Sequence, residues 1–316
     1  MHLNYLVIFP MLFAGFHLNA QGKADKKLAQ LIGLSNAVVK LSNFYTDKYP
    51  EYESVLNTGR KLYEQLKSNG NPRSPLIFDS PGAFPADPGM YVEYEEAMAT
   101  VSNKTKEKEN LASAVKTAKA QVDRLEKWGK NMKRYFESNT FETDGLAAYF
   151  TINDSLEYYL WETRKSWKLA AGIASGIGEE AEIKLLKDKP FAQFIIPMKN
   201  DMKSSRNILS DLSDLAASDK PNYALLKDNV ATFQTYLSRH KDLSGKDASI
   251  LSHVSYFINY YTQMEQWTNI LATLLDELLL PNRNIDRINA LYRDLYRCHD
   301  EAVDNYNNFV INTRQH

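Results

Sequence analysis

The stretch from Lys106 to Phe136 constrains the fold more than any other, because it has the pattern of a long amphipathic helix. Its apolar residues recur mostly every three or four positions, which places them on one face of a helix. Gly129 takes a place where the series would otherwise continue. The opposite face consists of Lys, Glu, Asp and Arg, so other helices must cover the apolar stripe. The stripe comprises Leu111, Val115, Ala118, Val122, Leu125, Met132 and Phe136.

The rest of the chain supplies further segments of the same kind. No run of alternating polar and apolar residues indicates a strand, and no repeat of fixed period is present. We therefore predict an all-α fold, an elongated multi-helix bundle with long antiparallel amphipathic helices. Pro50 is expected to separate the first two helices, and a break is expected near residues 101–104. The predicted helices cover residues 23–49, 51–67, 90–137, 146–173, 174–189, 191–215, 220–243, 247–280 and 285–311.

A chain of 316 residues is long enough for one large helical domain or two closely packed ones. We predict a single helical domain over residues 21–316. Gly172, Gly176 and Gly178 interrupt the helical pattern, so a sub-boundary is expected near residues 172–180. The stripe of residues 111–136 could be covered by the chain's own helices or, in a coiled coil, by a second copy. The oligomeric state stays open.

Residues 70–89 form the one clearly irregular segment. Five prolines in this segment exclude a continuous helix. Its apolar residues argue against a freely moving linker, so we predict a loop laid over the helices and pinned by Phe78 and Phe84. Long loops inside compact domains are often functional, but a packed connection without a ligand is the alternative.

The first twenty residues differ in composition from the rest of the chain. Residues 3–18 are almost uncharged and apolar, and Asn19, Ala20 and Gln21 follow. This pattern predicts a secretory signal peptide cleaved after Ala20, although Lys and Arg are missing from its start. The alternative is an uncleaved anchor, for which the run is short. The mature chain is expected to be exported, periplasmic or secreted, and to have no integral membrane span.

Charge and cysteine content limit the function classes further. The net charge is -1 and no basic block is present, which argues against duplex nucleic acid as a partner. The single Cys298 excludes an internal disulfide, so the fold must depend on packing. Cys298 lies within an apolar helical pattern and is predicted to be a buried small residue, with a reactive thiol as the alternative.

Two short regions are similar to a known family. An amphipathic helix ends with Arg134-Tyr135-Phe136-Glu137 and is followed by an acidic turn at residues 140–145 and a further helix. This arrangement resembles the YiiG-like family, and so does the C-terminal stretch of residues 306–310. That family consists of exported helical proteins, often lipoproteins, without an established activity. The chain departs from it by lacking a lipid-attachment Cys and a His soon after the turn. The resemblance implies a fold class and a compartment, and it supplies no catalytic residue.

The histidines, glycines and carboxylates of the sequence form no recognised catalytic or metal-binding motif. No His-Glu-x-x-His arrangement, nucleophile elbow, phosphate-binding loop or dinucleotide fingerprint is present, so the sequence predicts no metal, no cofactor and no enzymatic activity. His299 and His253 are expected to face solvent or to cap helices. The remaining enzymatic hypothesis is a hydrolase that uses His299 or His253 with nearby carboxylates.

Aromatic density is the strongest unusual feature. It can be explained by core packing with tyrosine hydroxyls at the rim, or by a groove that stacks on sugars, peptides or an apolar partner. We predict a non-enzymatic binding or scaffolding protein of the cell envelope, with an envelope protein or a glycan as partner. The alternative is a protein that binds a glycan or small molecule. The candidate ligand-binding residues are Tyr158, Trp161, Tyr256, Tyr260 and Trp267.

Overall fold

A computed structural model of the chain describes residues 22–69, 88–102, 105–188, 191–216, 218, 221–242 and 253–313. Over these residues the chain forms helices and no strand, so the predicted all-α class is confirmed. The predicted signal peptide and the Pro-rich segment up to residue 87 lie outside this part. The helices are α1 (Lys23–Asn69), α2 (Pro88–Thr100), α3 (Lys106–Glu137), α4 (Thr140–Asp144), α5 (Ala147–Leu186), α6 (Ala192–Ala216), α7 (Tyr223–Lys241), α8 (Val254–Leu279) and α9 (Ile285–Thr313).

The chain divides into two compact units. The N-terminal unit ends at Leu185, and the C-terminal unit begins at Leu186. The glycines at 172 and 176 lie inside α5, which continues to Leu186, so the expected interruption of the helix at residues 172–180 is wrong. Helical glycines cost about 1 kcal/mol each relative to alanine. The buried residues of α5 on both sides of them offset that cost.

The first helix also differs from its prediction, because α1 is continuous through Pro50. A proline inside a helix removes one backbone hydrogen bond and usually kinks or ends the helix. Here Tyr45, Tyr49 and Tyr52 are buried on the same side of α1, before and after the proline. Their burial stabilises the helical conformation across the missing hydrogen bond.

The chain reverses between α2 and α3, at the break predicted near residues 101–104. The Nζ of Lys40 lies 2.7 Å from a carboxylate oxygen of Glu93, and the hydroxyls of Tyr45 and Tyr91 share a hydrogen bond of 2.8 Å. These contacts set α2 antiparallel to α1. The ammonium of Lys119 lies 4.5 Å from the ring centre of Tyr91, so α3 returns along α2.

Two glycines allow α1 and α3 to approach closely. A Cβ added to Gly129 would lie 3.1 Å from the ring of Tyr52, and one added to Gly59 would lie 3.2 Å from the sulfur of Met132. Gly129 therefore belongs to the buried stripe of α3 and makes room for a large side chain of the facing helix. The apolar residues of the stripe predicted for α3 are buried in the core.

In the C-terminal unit, α6 to α9 form an up-down-up-down four-helix bundle. Each of these helices packs on the next, and α9 returns to α6. Phe194 on α6 and Phe257 on α8 both contact Phe309 on α9, with ring centres 6.3 Å and 5.9 Å from it. Asn222 caps the first turn of α7 by accepting a hydrogen bond from the amide of Leu225. Because the three phenylalanine rings pack together, the core of the bundle is aromatic at one end.

Candidate functional site

One side of α5 packs onto α1 and fixes the orientation of the helix. The ring of Trp167 stacks on Tyr45 at 4.5 Å, and Arg164 donates to a carboxylate oxygen of Glu53 at 2.6 Å. The guanidinium of Arg164 also lies 5.0 Å from the ring centre of Tyr49. Because Trp167 is fully buried, the rotation of α5 about its axis is determined by this side.

Another side of α5 exposes large apolar side chains to solvent, and Phe150 at its border also meets the ring of Tyr63 on α1 edge to face at 5.1 Å. Tyr158 and Trp161 are each 55% exposed, and Phe150 and Leu169 are exposed to a similar extent. Phe150, Tyr158 and Trp161 recur at helical spacing, so they lie on one face of the helix, with Leu169 at its edge. We call the surface formed by these four residues the α5 face.

Charged residues and a glycine lie along the same face, with acidic residues first, then basic residues and then the glycine. Asp154 and Glu157 are exposed before Trp161, and Lys165 and Lys168 are exposed after it. The Nζ of Lys165 lies 4.6 Å from the ring centre of Trp161. Beyond the lysines, a Cβ added to Gly172 would meet nothing within 4 Å, so the helix backbone itself is accessible there.

The structure separates the five candidate ligand-binding residues into two groups. Tyr158 and Trp161 lie on the α5 face in the N-terminal unit. Tyr256, Tyr260 and Trp267 lie on α8 in the C-terminal unit, where Tyr260 and Trp267 are fully buried and Tyr256 is half-buried. Within the described part of the C-terminal unit, Tyr260 and Trp267 are therefore not displayed in an open groove. These two residues pack the core because α8 is covered by α7 on one side and α9 on another.

Tyr260 illustrates why these aromatic residues are buried. Its hydroxyl donates a 2.7 Å hydrogen bond to the backbone carbonyl of Met198 on α6, so the polar end of the side chain is satisfied inside the bundle. Phe233 on α7 meets Trp267 edge to face at 6.2 Å. The period of the sequence places these residues on one helix face, but it does not indicate whether that face is covered.

A cluster of three polar side chains was missed by the sequence analysis. Asp201 on α6 is buried, and one of its carboxylate oxygens lies 2.8 Å from the Nδ1 of His240 on α7. The hydroxyl of Tyr261 on α8 donates to the same oxygen at 3.1 Å. Burial raises the pKa of Asp201, while the hydrogen bonds from His240 and Tyr261 oppose that rise. The available signal was a carboxylate within the buried, mostly apolar positions of α6.

This cluster joins three helices through one carboxylate. A carboxylate that orients a histidine is also part of many catalytic sites. Here the second partner is the hydroxyl of Tyr261, and burial together with the charge of Asp201 raises the pKa of Tyr261 well above its usual value. Tyr261 therefore stays protonated and acts as a donor, which is what a structural link between helices requires.

Of the two histidines singled out in the sequence, His299 is buried, and so is Cys298. His299 on α9 is buried, so its expected solvent-facing or capping position is wrong. Burial, together with the charge of Arg206, lowers the pKa of His299 to about 4. His253 is the N-cap residue of α8, although its side chain makes no capping hydrogen bond. Cys298 is buried as predicted, and burial raises the pKa of its thiol.

The described residues contain no group of three or more His, Cys, Asp or Glu side chains arranged to hold a metal ion. In the same part of the chain, every helix is too short or too polar to cross a membrane. Comparison of the whole chain with protein-family models, with curated proteins and with solved structures finds no match.

Proposed function

We propose that this protein is an exported, non-enzymatic helical binding protein that docks onto a partner protein through the α5 face. The observation that carries the proposal is the half-exposed pair Tyr158 and Trp161, with Phe150 and Leu169 beside it. Burying one such side chain is worth about 1.5–3 kcal/mol, so several left on one helix face favour a surface that a partner covers.

The chemistry of the face favours a protein over a glycan or small molecule. Small-molecule sites are concave pockets, whereas the side of a single helix is convex. Aromatic residues flanked by charges are typical of the centre and rim of protein interfaces. Trp161 has Glu157 on one side and Lys165 on the other, which gives such a face an apolar centre with charges around it.

The non-enzymatic and exported parts of the proposal rest mainly on the sequence. The chain has no catalytic motif, and the Asp201 cluster links α6, α7 and α8 through contacts suited to a structural role. Export is proposed from the apolar residues 3–18 and the cleavage pattern at Ala20. The expected mass of the mature chain, starting at Gln21, is a direct check on that step.

The experiment is site-specific photo-crosslinking in the cells that produce the protein. A benzophenone amino acid replaces Trp161 in one variant and Tyr236 in a matched control. Tyr236 is 50% exposed on α7, so the two positions differ in location but hardly in accessibility. Adducts are separated by size and identified by mass spectrometry. A parallel set carries Tyr158→Ala to weaken the face without touching the core.

The proposal expects a discrete adduct with an identified protein from position 161, reduced in the Tyr158→Ala background and missing from position 236. Equal labelling from both positions, or no adduct from 161, would refute it. Trp267 is not used as a test position because it is buried, and its removal would destabilise the C-terminal unit.

A further inference from the structure

On the α5 face, acidic side chains before Trp161 and basic side chains after it lie at equal distances from Trp161. Glu157 and Lys165 are each four residues from Trp161, and Asp154 and Lys168 are each seven residues from it. All four side chains are exposed. Acidic residues thus precede Trp161 and basic residues follow it at the same distances.

A large side chain and a residue without a side chain also lie at equal distances on the two sides of Trp161. Phe150 and Gly172 are each eleven residues from Trp161. Phe150 is 52% exposed, and the surroundings of Gly172 are empty within 4 Å of an added Cβ. A large exposed ring at one end of the face is therefore matched by an accessible stretch of backbone at the other end.

We infer that the partner of the α5 face is a second copy of this chain, bound antiparallel about a two-fold axis at Trp161. In that arrangement Asp154 meets Lys168 of the second copy, and Glu157 meets Lys165 of the second copy. Phe150 lies over Gly172 of the second copy. Each contact occurs twice, as a two-fold interface requires. A parallel arrangement would bring like charges together, which is destabilising.

This inference rests on the proposed function, because it names the partner of the same face. The paired residues run from Phe150 to Gly172, about 33 Å at 1.5 Å per residue, and a helix is about 10 Å wide. The contact would bury about 330 Å² per copy, less than half of what a standard interface buries. The dimer is therefore expected to be weak, with dissociation on the order of micromolar or above.

The first test is disulfide crosslinking of the full chain in a Cys298→Ser background, which removes the native thiol. Trp161→Cys places a thiol on the two-fold axis, where facing Cα atoms come within disulfide range. In the same dimer, the two copies of an Asp154→Cys thiol lie about 21 Å apart, too far for a disulfide. We expect Trp161→Cys to crosslink to itself and Asp154→Cys to crosslink only when mixed with Lys168→Cys.

The second test is a charge exchange read by sedimentation velocity between 1 and 300 µM. Glu157→Lys alone and Lys165→Glu alone should each weaken association at least severalfold, because like charges then face each other. The variant that carries both changes should regain it. Arg60 lies 3.2 Å from Glu157, but an exposed pair of this kind contributes little to folding, so the single variants should keep their thermal stability.

The inference is overturned if wild type stays monomeric at 300 µM, or if Asp154→Cys crosslinks to itself as readily as Trp161→Cys does. The photo-crosslinking experiment then decides the proposed function separately. A discrete adduct of position 161 with a different protein keeps the docking role and removes the second copy as the occupant. An adduct of twice the chain mass supports both.

Discussion

Acidification should destabilise the C-terminal unit through His299. The side chain is buried on α9, and its pKa is lowered from the usual 6.5 to about 4, first by burial and then by the positive charge of Arg206. Above pH 6.5 the histidine is neutral in both the folded and the unfolded chain, so it costs nothing. Between pH 6.5 and 4 the unfolded chain binds a proton that the folded chain does not bind.

The size of the effect follows from the shift. One pKa unit corresponds to 1.36 kcal/mol, so a shift from 6.5 to about 4 removes about 3 kcal/mol from the free energy of unfolding once the pH reaches 4. Stability is fully present above pH 6.5 and declines as the pH falls. This is a substantial part of the 5–15 kcal/mol typical of a folded domain.

The assay compares urea unfolding of wild type and His299→Gln at pH 7.5, 6, 5 and 4. Other carboxylates titrate in the same range, so the difference between the two proteins isolates the histidine. Wild type should lose about 3 kcal/mol more than the variant between pH 7.5 and 4. NMR titration of the imidazole C2 proton gives the pKa directly. Parallel stability curves, or a resonance that titrates near pH 6.5, would refute the reasoning.

Three further predictions use matched positions and the same unfolding assay or a simple chemical one. Trp167→Ala should lower the free energy of unfolding by about 3–5 kcal/mol because the ring is fully buried. Trp161→Ala on the same helix should change it by no more than about 0.5 kcal/mol. Equal losses would contradict the assigned rotation of α5. Gly33→Ala should stabilise α1 by up to about 1 kcal/mol, since its Cβ meets nothing within 4 Å. Gly129→Ala should be destabilising because its Cβ would lie 3.1 Å from a buried tyrosine ring. A gain in stability at both positions would argue against that close contact. Cys298 should react with iodoacetamide far more slowly in the native protein than in urea, and rapid native labelling would show that the thiol is accessible.

The amphipathic helices could be predicted from the sequence because their pattern is local. In α3 the spacing of Leu111, Val115 and Leu125 is enough to identify the buried face, and the structure buries those residues. The local pattern is misleading at Pro50 and Gly172 for the opposite reason. Their intrinsic preferences oppose a helix, but packing of the residues around them, which the local sequence does not describe, decides the outcome.

The candidate site shows the same limit. Trp161 and Trp167 are six residues apart on α5, so they lie on different sides of the helix, and only the tertiary structure tells which side α1 covers. The Asp201 cluster depends on three helices that meet at one point. Spacing within a single helix carries no information about such a meeting, and a lone buried carboxylate on α6 was the sole local sign of it.

The pairing of α1 with α5 has a consequence for synthesis of the chain. Ser42 donates a hydrogen bond to the backbone carbonyl of Trp167, and these two residues are 125 positions apart. At about 5–20 residues per second, a ribosome needs on the order of 6 to 25 seconds to make the intervening chain. During that interval the side of α1 that α5 will cover stays open to other nascent chains and to chaperones. Tyr49, which Arg164 of α5 covers in the folded chain, is then exposed, so early aggregation of this protein should begin at α1.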